Sequence, residues 1–176
     1  LRAAAVGGFS EIIERLYEAG ADVNAHLGDL GSPLQSATFC GQKEAVQTLI
    51  KLGAKPNEGG SFFRPGGTVG SSVQAAAMSG DTDLVQLLID QGADINCNDG
   101  WLGNPLQAAA FRGHTGALRL LIARGARVNK EGGFFGTALQ AAASQGHLEA
   151  VNALLENGAD PNATARGHYG TALAAA

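Results

Sequence analysis

The sequence has few cysteines, few basic residues and no long apolar run, and each shortage excludes a class of protein. Its 176 residues include only Cys40 and Cys97, which are not at CxxC spacing. We therefore expect neither a disulfide framework nor a zinc site, and a reducing compartment, the cytoplasm or the nucleus, fits best. A net charge of −4 without a basic cluster argues against nucleic acid as a partner. No apolar run reaches the roughly 18 residues of a membrane span, so we expect no membrane partner.

Residue types that carry chemistry are too scattered to form a site. His114 and His147 each follow a glycine at a helix end, where we interpret them as structural turn residues. The stretch RPGGTVGSS at 64–72 lacks the Gly-Lys-Ser/Thr sequence on which a phosphate-binding loop depends. The sequence therefore predicts a protein without catalytic residues, metal site, cofactor or small-molecule substrate.

A unit of 33 residues recurs along the whole chain. The Gly-Ala pair that ends each unit begins at residues 20, 53, 92, 125 and 158, with spacings of 33, 39, 33 and 33. The apolar residue that opens each alanine-rich run, at 1, 34, 73, 106, 139 and 173, follows nearly the same spacing. Two independent markers with one period identify a repeat protein. Both place a six-residue insertion, which we expect to form an elongated finger, between Asn57 and Ser72.

Each unit predicts two short helices. A Ser, Thr or Asn precedes the first helix as an N-cap, and Pro33 and Pro105 occupy its first position. The second helix carries one apolar face and ends at the Gly of the Gly-Ala pair, which suits a left-handed C-terminal residue. We expect a recurring asparagine after that pair to bond the backbone of its own turn. This residue is Asn24, Asn57, Asn96, Asn129 or Asn162.

The segment PLQAAAFRGHTGALRLLIARGARVN at 105–129 resembles the ankyrin repeat, in which a turn and two antiparallel helices close on a Gly-Ala pair about every 33 residues. The resemblance covers the whole chain and implies an all-α ankyrin-repeat solenoid of helix-turn-helix units with projecting fingers. The array is also similar in style to those of large fungal multidomain proteins. Glutamine stands where the family has histidine, and because it keeps a donor and an acceptor it can retain a structural hydrogen bond. These residues are Gln35, Gln74, Gln107 and Gln140.

The repeat boundaries divide a single domain, 1–176, that we expect to be a fragment of a longer protein. Its parts are a partial repeat at 1–24, complete repeats at 25–57, 58–96, 97–129 and 130–162, and a partial repeat at 163–176.

In the ankyrin arrangement the fingers and the first, inner helices form a concave face, which the family usually uses to bind proteins. Two sets of large residues fall on that face by the resemblance. The fingers supply Phe62, Phe63, Trp101, Phe134 and Tyr169, and the inner helices supply Phe39, Met78, Phe111 and Arg112. Because aromatic residues, Met and Arg are enriched in protein interfaces, we predict that these residues bind a protein partner.

The position within each finger separates packing from binding. Each finger carries two adjacent residues at its tip, such as Trp101-Leu102 and Phe134-Phe135. The second residue of this pair is repeatedly apolar, which favours packing against a neighbouring finger or helix. The first residue varies, so we assign Trp101 and Phe134 to binding and expect the fold to have little need of the Trp101 indole. The sequence thus predicts a protein-binding module rather than an enzyme. The alternative is a structural spacer or an autoinhibitory segment that docks on its own parent protein.

Overall fold

The structure, a computed structural model, describes residues 1–26, 31–57, 70–98, 100–164, 167–168 and 170–176. Within these ranges it consists of α-helices and turns, with no β-strand beyond isolated backbone bridges such as that between Gly132 and Gly136. No helix in these ranges is both long and apolar enough to cross a lipid bilayer. The expected all-α solenoid of helix pairs is confirmed.

The helices alternate between an inner and an outer row. The inner helices are α1 (Arg2–Gly7), α3 (Pro33–Phe39), α5 (Ser72–Ser79), α7 (Pro105–Arg112), α9 (Ala138–Ser144) and α11 (Ala172–Ala175). The outer helices are α2 (Ser10–Glu18), α4 (Lys43–Lys51), α6 (Thr82–Asp90), α8 (Thr115–Ala123) and α10 (Leu148–Glu156). Each of the first five inner helices packs on the next inner helix and on its own outer partner. The core therefore runs unbroken along the array.

Small side chains allow the inner helices to approach one another closely. In α7, Ala108, Ala109 and Ala110 are fully buried between neighbouring elements. The outer helices contribute larger apolar side chains to the same core, such as Leu118 and Leu121 of α8, which are also fully buried. A single repeat offers too little apolar surface for a core of its own, so each repeat depends on its neighbours for stability.

The inner helices after α1 begin at the side-chain caps that the sequence predicts. Each cap accepts a hydrogen bond from the backbone N–H three residues later. The caps are Ser32, Ser71, Asn104, Thr137 and Thr171. Because Ser71 caps α5, the repeat has regained its register there. The expected elongated finger between Asn57 and Ser72 falls mainly on residues 58–69, which lie outside the described residues.

The glutamines of the inner helices join each repeat to the next. The Oε1 atom of Gln107 accepts a hydrogen bond from Asn104 N at 2.7 Å, and its Nε2 atom donates to Gly136 O at 2.7 Å and Gly132 O at 2.9 Å in the following finger. Gln35 and Gln140 make corresponding bonds. Gln74 also donates to the next finger, and its Oε1 atom accepts from the N–H of Gly70, the residue before the cap. These amides are buried, so the structural role expected at the family's histidine position is confirmed.

The recurring asparagines also connect repeats, and the expectation that they bond their own turn is wrong. Asn96 donates from Nδ2 to Gly125 O at 3.3 Å and accepts at Oδ1 from Arg127 N at 2.8 Å, and both partners belong to the next repeat. The same pair of bonds recurs at Asn24, Asn57 and Asn129. Asp94 instead makes the bond within the turn, since its carboxylate accepts from Asn96 N at 2.8 Å. The asparagine amide is thereby available to the end of the next outer helix.

The two histidines that follow helix-ending glycines are structural, as the sequence predicts. The Nε2 atom of His147 lies 3.1 Å from Phe111 O, in the inner helix of the preceding repeat. Its ring fills the space beside Gly113, where an added Cβ would come within 2.6 Å of Nδ1. The ring of His114 has the same relation to Gly80. Each ring therefore holds the start of an outer helix against the end of an earlier inner helix.

Candidate protein-binding surface

Successive fingers are joined to one another by backbone hydrogen bonds. Phe134 N donates to Trp101 O at 2.8 Å, and His168 N donates to Phe134 O at 2.9 Å. Within one finger, Gly132 N donates to Gly136 O at 2.8 Å and closes the turn. The fingers at 100–103, 132–136 and 167–168 therefore have a defined register, which sets the positions of their side chains.

Each of these fingers contributes one ring to an aromatic stack. The rings are those of Trp101, Phe134 and His168. The indole of Trp101 stacks on the ring of Phe134 with centroids 5.0 Å apart and planes 26° from parallel. The ring of Phe134 stacks in turn on His168, at 4.7 Å and 19°. Edge contacts connect the indole to Phe111 of α7 at 5.9 Å and to Phe135 at 5.1 Å. We call these five residues the aromatic surface; it unites three fingers with an inner helix.

The two adjacent residues at the tip of a finger differ in how much of their side chain is buried. Leu102 and Phe135 are 3% exposed, as their assignment to packing predicts, whereas Trp101 is 37% exposed. The indole nevertheless makes three ring contacts, and such pairs contribute about 0.5–1.5 kcal/mol each beyond the burial of area. We therefore expect Trp101→Ala to cost about 2 kcal/mol or more of folding free energy, and this prediction replaces the one made from the sequence, that the fold has little need of the ring.

The inner-helix residues differ in their relation to the aromatic surface. Phe111 belongs to it, through ring contacts with Trp101 and with Phe135 at 4.9 Å. Met78 is half-buried against the core one repeat earlier. Phe39 is 42% exposed on α3, two repeats from α7, and makes no ring contact with a described residue. The three positions follow the same row, but the described rings cluster only at its α7 end.

Arg112 is exposed at the C-terminal end of α7, directly after Phe111. It is the only charged residue in α3, α5, α7 and α9. No other described residue makes a hydrogen bond or an ion pair with its guanidinium. Of the other predicted binding residues, Phe62, Phe63 and Tyr169 lie outside the described residues.

Ion pairs connect the outer row of helices. The Arg124 guanidinium lies 2.9 Å from the Asp90 carboxylate, and its hydrogen bond lowers the pKa of Asp90 below the usual value. The Lys43 ammonium lies 2.7 Å from Asp83, and their hydrogen bond raises the pKa of Lys43 and lowers that of Asp83.

Within the described ranges, no three His, Cys, Asp or Glu side chains are grouped so as to hold a metal ion.

A family model described as ankyrin repeats, in three copies, matches residues 73–165 of the 176. The chain belongs to the ankyrin repeat family. Ankyrin repeats are generally protein–protein interaction modules and are typically not enzymes. Among curated proteins, none matches the sequence significantly.

The sequence of this ankyrin array did not lead us to assign His168 to the site, although it stacks on Phe134. The signal was present, because His168 occupies the finger position of Trp101 and Phe134 in the repeat register. A histidine there suggests a polar turn residue until the fingers are known to stack. In this array, the position of a residue within its repeat therefore predicts its place in the aromatic surface better than its residue type does.

Proposed function

We propose that the chain is a protein–protein interaction module that binds its partner through the concave face of the fingers and inner helices. In this proposal it is the recognition or scaffold part of a larger multidomain protein in the cytoplasm or nucleus. On this proposal the binding residues are the ones predicted from the sequence, and neither nucleic acid nor a membrane is a target. These residues are Trp101, Phe134, Phe39, Met78, Phe111, Arg112, Phe62, Phe63 and Tyr169.

The observation that carries the proposal is the partly exposed aromatic surface, together with Arg112, which follows Phe111 in α7 and has no ion-pair partner among the described residues. Trp101 keeps over a third of its surface exposed while its ring is held by three neighbours. A rigid aromatic side chain loses little conformational entropy when a partner covers it, which is why tryptophan and arginine are frequent at binding hot spots. Such an arrangement suits a pre-formed binding site.

The proposal is tested by site-specific photo-crosslinking in the source cells. A benzophenone amino acid replaces Phe39 on the inner face, and in a matched control it replaces Gln47, which is exposed on the outer helix α4 of the same repeat. We expect a discrete adduct with a separate protein from position 39 and none from position 47. Adducts only from position 47 would contradict the proposal. Adducts from position 39 that link the chain only to its own parent protein would favour the spacer or autoinhibitory alternative.

A further inference from the structure

We propose, on the basis of the function proposed above, that the aromatic surface and Arg112 bind an extended segment of the partner in the polyproline II conformation. A proline of this segment packs on the rings of Trp101 and Phe134, and an acidic residue pairs with Arg112. Four features of the surface support this chemistry.

The first feature is a hydrogen-bond donor without an acceptor. No described residue accepts a hydrogen bond from Nε1 of Trp101, although the ring itself is fixed by Phe111, Phe134 and Phe135. A polyproline II segment has no internal hydrogen bonds, so its carbonyl oxygens are free to accept from such a donor. A helical partner uses most of its carbonyls internally and offers fewer acceptors to the indole. The indole N–H therefore favours an extended partner over a helical one.

The second feature is that the finger backbone is already paired where a strand would have to add. The carbonyl of Trp101 accepts from Phe134 N at 2.8 Å, and the carbonyl of Phe134 accepts from His168 N at 2.9 Å. Addition of a partner strand depends on unpaired backbone groups along an edge. Recognition at these fingers therefore falls to side chains, as it does when proline-rich segments dock on aromatic residues.

The third feature is the spacing of the rings. The centroids of Trp101 and Phe134 are 5.0 Å apart, and those of Phe134 and His168 are 4.7 Å apart. One turn of a polyproline II helix advances roughly 9 Å over three residues, which is close to the length of two ring steps. A segment running along the stack can thus present a side chain of the same face to each end of it.

The fourth feature is charge. Arg112 is the only charged residue of the four inner helices α3, α5, α7 and α9, and among described residues it has no carboxylate partner. An exposed guanidinium recognises carboxylates through paired N–H groups. A partner with an acidic residue next to its proline therefore complements both the rings and the cation.

The test is a selection from a displayed library of random peptides with the full chain as bait, followed by affinity measurements on the enriched sequences. Three variants accompany the native chain. Arg112→Glu reverses the inner-face charge, and Arg127→Glu makes the same change at an exposed arginine in the turn after α8. Trp101→Phe keeps an aromatic ring but removes the N–H group. Helical circular dichroism confirms that each variant is folded.

We expect enriched peptides to contain proline within a few residues of Asp or Glu. Their affinity falls about tenfold or more with Arg112→Glu, falls about threefold to tenfold with Trp101→Phe through the lost hydrogen bond, and is unchanged with Arg127→Glu. Peptides that depend on Arg112 and Trp101 but lack proline, or that bind as amphipathic helices, overturn the inference and leave the proposed function intact. Peptides that bind all the variants equally, or no enrichment over a blank bait, also overturn the inference, whereas the proposed function is decided separately by the crosslinking at position 39.

Discussion

Replacing Gln107 with methionine tests the connection between the repeat at 97–129 and the repeat at 130–162. Gln107 is fully buried, and methionine has a similar length and volume, so the change removes hydrogen bonds without opening a large cavity. The backbone N–H of Asn104 loses its acceptor at 2.7 Å, and the carbonyl of Gly132 loses a donor at 2.9 Å. The carbonyl of Gly136 also loses a donor but keeps its bond from Gly132 N.

The expected loss follows from these groups. A buried donor or acceptor without a partner costs about 1–3 kcal/mol. The substitution orphans the buried N–H of Asn104 and the carbonyl of Gly132, which is only partly buried and so costs less. We therefore expect Gln107→Met to lower the free energy of unfolding by about 2–4 kcal/mol. The matched control is Gln47→Met on the exposed face of α4, for which we expect a change within about 0.5 kcal/mol.

Urea unfolding monitored by two signals provides the assay. Circular dichroism reports all helices, whereas fluorescence reports Trp101, the only tryptophan in the sequence. Since Trp101 O accepts from Phe134 N in the finger that Gln107 holds, the variant should lose its native fluorescence at a lower urea concentration than its helical signal. Coincident transitions with a midpoint equal to that of Gln47→Met would refute the assigned role of the glutamine.

Two further predictions concern a glycine and an ion pair. Gly113→Ala should destabilise the fold more than Gly125→Ala in thermal unfolding. Both glycines have a positive φ (71° and 96°), but only at Gly113 would an added Cβ meet a side chain, that of His147 at 2.6 Å. Equal losses of stability would contradict the packing argument. The pKa of Asp90 is lowered by its hydrogen bond from Arg124 and, to a smaller extent, by that from Gln86. The contribution of the Arg124 pair to stability is therefore present above the ordinary carboxyl pKa and is lost as the pH falls through the lowered value. Arg124→Gln should raise the pKa of Asp90 towards the usual range in an NMR titration, and an unchanged pKa would disprove the pairing.

Much of the fold could be predicted from local chemistry because the repeat shows the same signal several times. Ser32 and Asn104 cap helices through hydrogen bonds to a residue only three positions later in the sequence, so their roles do not depend on tertiary context. Leu102 and Phe135 were assigned to packing from their recurrence, and both are buried.

The misjudged features depend on distances between repeats, which the sequence does not show. Asn96 was expected to bond its own turn, but Asp94 already satisfies that turn and Asn96 reaches the next repeat. The stacking of Trp101 on Phe134 is likewise hidden in the sequence, because it depends on how closely two fingers approach. The contacts within one repeat can thus be predicted from this sequence more readily than the contacts between repeats.

The most direct test of the central claim, that a partner protein binds the aromatic surface, is an NMR spectrum of the labelled chain with and without the partner captured by crosslinking. We expect the largest changes at the Trp101 indole N–H, the rings of Phe111 and Phe134 and the guanidinium of Arg112, with the outer helices α4, α6, α8 and α10 unaffected. Changes confined to those outer helices, with the Trp101 indole signal unmoved, would contradict the account.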